Sequence, residues 1–127
     1  MARSGENKFT TVVDVKSGVI KVTAELVIKN LVEMMAGIEV GKAIETDPFM
    51  VGETPMTIGV FVNGEVEEER GTISIFLYNN GDEDIRVKCQ LITDPVTREF
   101  GYDKIVMPGN GKGFSEMLTH AQYAEAV

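Results

Sequence analysis

Cys89 and His120 are the only cysteine and the only histidine of the chain, so thiol or imidazole chemistry has one of each to work with. A thiol nucleophile needs a base beside it. Cys89 is phased with Val87 and Leu91, which turns it toward a core, where a thiol is inert. His120 falls in a stretch of helical spacing, and one cysteine with one histidine does not make the usual three- or four-ligand zinc site. Asp82, Glu83 and Asp84 are adjacent acids on a turn. They offer a loop calcium site or a merely solvated turn, and they lack the spacing and central glycine of an EF-hand. Gly109-Asn110-Gly111-Lys112-Gly113 has the composition of a phosphate cradle. A P-loop, however, needs a serine or threonine after the lysine to open a helix, and here Gly113-Phe114 follows. This segment reads as a flexible connection. No carboxylate pair stands out for acid–base work. The residues therefore point away from an enzyme, and require no metal or cofactor.

The elements that must position these side chains are short and apolar on one side. FTTVVDV (9–15) is rich in β-branched residues, follows a polar stretch (1–8) expected to be a flexible tail, and leads into Lys16-Ser17-Gly18, a turn. In 19–30, Ile20, Val22, Ala24, Leu26 and Ile28 alternate with more polar neighbours, the period of a strand with one buried face. Residues 31–53 are irregular, and Gly37 and Gly41 favour a loop and a short strand over a helix. Met56, Ile58, Val60 and Val62 share one face of the next strand, which ends at the turn pair Asn63-Gly64. The charge run 65–70 reads as solvated. Ile73, Ile75 and Leu77, then Asn79-Asn80-Gly81-Asp82, then Ile85, Val87, Cys89 and Leu91 predict a β-hairpin with an apolar inner face. A strand follows at 102–107. Residues 115–126 are expected to form the one helix, with Ser115 as N-cap and Met117, Leu118 and Ala121 as its apolar stripe. The sum is an all-β chain: an antiparallel β-sandwich of seven to eight strands with one short C-terminal helix, in a single domain over 9–127.

Composition narrows the partners. The 127 residues carry 12 basic and 20 acidic side chains, a net charge of -8 that argues against nucleic acid and anionic membranes. At 43% hydrophobic the chain has enough apolar surface to fold unaided. No apolar run reaches the ~18 residues of a membrane span, and the N-terminus has no signal-peptide core. With a single cysteine, a reducing compartment fits: the cytoplasm, or the nucleus. What remains is surface. Phe61, Phe76 and Tyr78 all fall on the outer parity of their strands. They form either a shallow groove for an extended peptide or, under a loop or helix, a second small core.

Five short segments, in order, resemble the MATH (TRAF-like) domain family. They are Ile28-Lys29-Asn30-Leu31, Phe49-Met50-Val51-Gly52, Val62-Asn63-Gly64, Ile73-Ser74-Ile75-Phe76-Leu77 and Lys112-Gly113-Phe114, within residues 25–126. The resemblance implies a β-sandwich that binds short linear peptides of partner proteins, often as an adaptor in the ubiquitin pathway. It places the groove at Phe61, Phe76, Cys89, Lys104, Lys112, Gly113 and Phe114. Cys89, Lys104 and Lys112 stand where the family carries aromatics, the chain has no tryptophan, and two rim lysines suit an acidic or phosphorylated peptide. The family's last strand after the helix has no counterpart, and the stretch 9–21 is expected to fill its place, within the chain or by exchange with a second one. Two functions follow. The first is a non-catalytic module that binds peptide segments on a sandwich face. The alternative is a structural domain that forms a homo-oligomer through an exposed sheet edge.

Overall fold

The computed structural model describes residues 6–15, 21–29, 31–93, 96–100 and 105–125. Its strands are β1 (Glu6–Val15), β2 (Lys21–Lys29), β3 (Ala43–Glu45), β4 (Phe49–Val51), β5 (Thr54–Phe61), β6 (Thr72–Asn79), β7 (Ile85–Thr93), β8 (Val96–Phe100), β9 (Ile105–Val106) and β10 (Gly111–Thr119). Two short helices, α1 (Leu31–Gly37) and α2 (His120–Glu125), complete it. Sheet I has the order β2-β1-β7-β8, with β9 also on β7. Sheet II has the order β10-β6-β5-β3, with β4 also on β5. Every ladder is antiparallel. This is the expected antiparallel sandwich. Its strand count is higher because β3, β4 and β9 are pairings of two or three residues, too short to display a period in sequence.

One core lies between the sheets. Phe9 and Val13 of β1 and Val87, Cys89 and Leu91 of β7 meet Met56, Ile58 and Val60 of β5 and Ile73, Ile75 and Leu77 of β6, all buried. The alternation read from sequence thus sets the inner faces correctly. In β2 likewise, Val22, Ala24 and Leu26 are half-buried and Ile28 is buried, while Thr23, Glu25 and Val27 are exposed.

Four expectations are corrected. First, β6 and β7 are not a hairpin. β6 pairs with β5 and β10, and β7 pairs with β1, β8 and β9, so residues 80–84 cross from one sheet to the other. Second, Leu31–Gly37 is a helix, not a loop. Buried Leu31 and half-buried Met34 and Met35 lie on one face, a short tertiary anchor that outweighs the interrupting glycine at its end. Third, residues 111–119 form β10, so 111–113 are strand and not a flexible connection, and the helix begins at His120 and not at 115. The register slips between Phe114 and Leu118, a bulge that buries both Met117 and Leu118 and so imitates helical spacing. Thr119, not Ser115, caps α2. Its Oγ1 accepts from the Gln122 N–H (3.0 Å) and Gln122 Oε1 accepts from the Thr119 N–H (2.7 Å), a reciprocal capping box. Fourth, β1 starts at Glu6, inside the stretch 1–8 expected to be a tail.

Of the stretch 9–21, expected to fill the place of a missing last strand, residues 9–15 belong to β1, which lies inside sheet I between β2 and β7. The turn expected at Lys16-Ser17-Gly18 lies outside the described residues. Asn63-Gly64 does turn the chain, with Gly64 at φ 80°. Asn63 secures that turn by donating from Nδ2 to the Ile38 carbonyl (3.1 Å) and accepting at Oδ1 from the Gly71 N–H (2.8 Å). The charge run is a solvated 3₁₀ turn in which Arg70 pairs with Glu67 at 2.7 Å. Among the described residues, no helix is long and apolar enough to cross a membrane.

Candidate functional site

The outward face of sheet II is where the sequence's outward aromatics meet. In the register of β5 and β6, Gly59 lies opposite Phe76, Phe61 opposite Ser74 and Thr57 opposite Tyr78. On the other flank, β10 sets Gly113 opposite Phe76 and Gly111 opposite Tyr78. Period two therefore sends Phe61, Phe76 and Tyr78 to the side away from the core. Their rings are in contact. Phe61 meets Phe76 edge-on at 5.9 Å between centroids and 81° between planes, and Phe76 meets Tyr78 at 6.2 Å. Edge-to-face pairing sets the positive rim of one ring on the negative face of the next.

Glycines shape this face. A Cβ on Gly59 would stand 2.7 Å from the Tyr78 ring, and one on Gly111 would stand 2.6 Å from the other edge of the same ring. The Tyr78 ring thus fills a slot that exists because both neighbouring strands lack a side chain there. Phe76 has a glycine partner on each side. The result is an aromatic ridge along β6, with Phe61 buried and Phe76 and Tyr78 half-exposed. Burial pushes the Tyr78 hydroxyl above its usual pKa, and the carboxylates of Glu65 and Glu45 push it further in the same direction. Both charges acting on that hydroxyl are negative. Such a face suits a cationic side chain, which gains from the ring faces and from the carboxylates together.

Of the seven positions supplied by the MATH resemblance, the six described do not all converge. Phe61, Phe76 and Gly113 share the outward face of sheet II. Phe114 pairs with Ile75, takes the opposite parity, and packs against the core with the Arg98 guanidinium 5.8 Å from its ring centre. Lys112 pairs with Leu77 and is exposed. Cys89 is wholly buried in sheet I, as its phase with Val87 and Leu91 implied. Lys104 lies outside the described residues. Tyr78 joins the cluster although the resemblance omits it, and its outward parity was the signal for it.

Neither candidate for thiol or imidazole chemistry is placed for it. Burial pushes the Cys89 thiol up to about 12 from an ordinary value of 9.0. A raised thiol pKa means that the folded protein holds its proton where the unfolded chain loses it. The associated stability is complete below pH 9 and is lost as pH rises from 9 toward about 12. Cys89→Ala is therefore expected to unfold with a shallower dependence on pH across that window than the parent, by up to ~1.4 kcal/mol per pH unit. Urea unfolding at pH 8 and pH 10.5 measures this, and parallel profiles for the two proteins would refute it. His120 Nε2 lies 2.6 Å from the Val62 carbonyl, which only accepts, so that nitrogen carries the proton and fastens α2 to the end of β5. Asp82, Glu83 and Asp84 are exposed, and among the described residues no group of three or more metal-ligating side chains converges.

A cleft lies between the edges of the two sheets. Ala24, Glu25 and Leu26 of β2 face Glu45, Thr46, Asp47 and Phe49 across a cleft of about 390 Å³. No family model, no curated protein and no solved structure matches this chain.

Proposed function

We propose that this chain is a non-catalytic protein-interaction module, and that it docks an extended segment of a partner protein across the outward face of sheet II. The observation that carries this reading is the contact of half-exposed Phe76 and Tyr78 with each other and with buried Phe61 on the outward side of sheet II. Rigid rings supply contact area at low cost in side-chain entropy, and partly exposed aromatics on a sheet face are typical anchors for peptides. The negative charges of Glu65 and Glu45, which act on the Tyr78 hydroxyl, favour a partner that brings a lysine or arginine to the rings. The acidic partner implied by the rim lysines has no support at Lys112, which has the inward parity of β10 while the three aromatics do not. Membership of the MATH family, and with it a place in the ubiquitin pathway, belongs to the same proposal and rests on motif order alone. A buried single thiol suits the cytoplasm.

Peptide display on the purified chain tests the proposal, with Phe76→Ala as the matched control. Enriched peptides are expected to share a basic residue beside an apolar one. Phe76→Ala is expected to weaken them about tenfold or more while the fold is kept, because the ring is half-exposed and outside the core. A folded parent that enriches nothing overturns the reading. Self-assembly through a sheet edge is favoured by one observation: β2 and β10 each pair on one side only among the described residues. Under that reading, mass rises with concentration and no peptide binds.

A further inference from the structure

We infer that the cleft beside β2 is a second docking site, one that takes a basic extended segment of a partner protein as an added strand on sheet I. β2 runs nine residues and pairs only with β1 among the described residues, so alternate N–H and C=O groups along its far side face outward. Of the devices that blunt natural edges, charged residues stand only at the ends and middle of β2, at Lys21, Lys29 and Glu25, and the others are proline, a bulge or an inward-pointing charge. β2 has none of these: its inward positions are Val22, Ala24, Leu26 and Ile28, and its register with β1 runs unbroken from Glu6↔Lys29 to Asp14↔Lys21.

The cleft supplies the rest of what an added strand needs. Ala24, Leu26 and Phe49 give it an apolar floor, and Glu25, Glu45 and Asp47 give it an acidic rim. The far wall is fixed, because Thr46 is held to β5 by its backbone N–H on the Ile58 carbonyl (3.0 Å) and by its Oγ1, which accepts from the Ile58 N–H (3.0 Å). An incoming strand alternates its side chains, so apolar residues meet the floor while lysine or arginine residues meet the carboxylates.

Charge decides between the two extended occupants. A second copy would bring two acidic rims together and join two chains of net charge -8. A basic segment meets the same groups with opposite sign. This site is separate from the aromatic face. Glu45 alone belongs to both, lining the cleft and acting on the Tyr78 hydroxyl.

The test is a titration of the full chain with a short labelled peptide that alternates lysine and valine, followed by fluorescence anisotropy and by amide exchange along β2. The peptide is expected to bind, to slow exchange at residues 22–28, and to weaken as salt is raised. The exposed pair Glu25→Lys and Asp47→Lys together is expected to lose at least about tenfold in affinity. The same peptide methylated on alternate backbone nitrogens is expected to leave residues 22–28 unprotected, and Phe76→Ala is expected to keep their protection, whatever it loses at the aromatic face. Absence of binding overturns the inference, as does equal protection of residues 22–28 by the methylated peptide or in the charge-reversed variant. Loss of that protection in Phe76→Ala also overturns it, by moving the peptide to the aromatic face. If β2 is protected without peptide and mass rises with concentration, the edge belongs to a second copy and the inference fails.

Discussion

Asn79→Asp is expected to lower the free energy of unfolding by about 3 kcal/mol or more, although the two side chains are nearly the same size. Asn79 is wholly buried at the end of β6. Its Nδ2 donates to the Glu83 carbonyl and to the Val106 carbonyl, both at 2.8 Å, and its Oδ1 accepts from the Gly81 N–H at 2.8 Å. Its backbone is also engaged: the N–H donates to the Asn110 carbonyl and the carbonyl accepts from the Gly109 N–H. One side chain thus ties the end of sheet II to the crossing loop and to β9 of sheet I. Aspartate keeps the acceptor but offers an oxygen where two carbonyls need a donor, and it brings a charge into a buried site. Asn79→Ala is expected to cost less than Asn79→Asp, because it leaves the carbonyls unpaired without repelling them. Urea unfolding of both variants checks the order. A loss under about 1 kcal/mol for the aspartate would remove Asn79 as the tie between the sheets.

Gly113→Ala is the second large effect, with an expected loss of about 3 kcal/mol or failure to fold. A Cβ at this position would run into the backbone carbonyl of Ile75 and stand 2.7 Å from the Phe76 Cα. Those atoms belong to the strand at the centre of the aromatic face and have no rotamer by which to withdraw. The β10–β6 ladder would have to part at Gly113↔Phe76. Gly111→Ala is an instructive contrast. There the obstacle is the ring of Tyr78, a side chain that turns aside, so the fold is expected to survive while the slot for that ring is lost. Thermal unfolding of the two variants side by side separates the cases, and equal melting temperatures would refute the distinction.

The faces of this sandwich were legible because period two is a local property. Met56, Ile58, Val60 and Val62 read as inward and are buried, while Phe61, Phe76 and Tyr78 read as outward and form the ridge. Pairing was not legible. Asn79-Asn80-Gly81-Asp82 says that the chain turns, and nothing in those residues says that it leaves the sheet. That is settled by Val106, whose carbonyl takes Asn79's amide from 27 positions away in sequence. The helix boundary failed for a different reason. A bulge inserts residues into the alternation, and Met117-Leu118 then has the adjacency of a helical stripe. Thr119 and Gln122 did carry the true start, in the Thr-x-x-Gln spacing of a capping box. At the site, the aromatics were visible and the glycines opposite them were not, because the latter acquire meaning only through the register of β10 with β6. The cleft beside β2 had no sequence signal at all, since it is made by two edges brought together from residues 24–26 and 45–49.

The central place of β1 bears on how the chain is made. β1 leaves the ribosome before both of its partners, and its pairing with β2 joins neighbours in sequence. Its other ladder waits for β7, where Thr10 pairs with Ile92 and Val15 with Val87. Until most of the chain has been synthesised, the hairpin has both long edges open and Phe9 and Val13 without the sheet that buries them. Closing that ladder is a slow, long-range step set by topology rather than by local propensity. The nascent hairpin is thus the species that a lagging synthesis leaves exposed to aggregation.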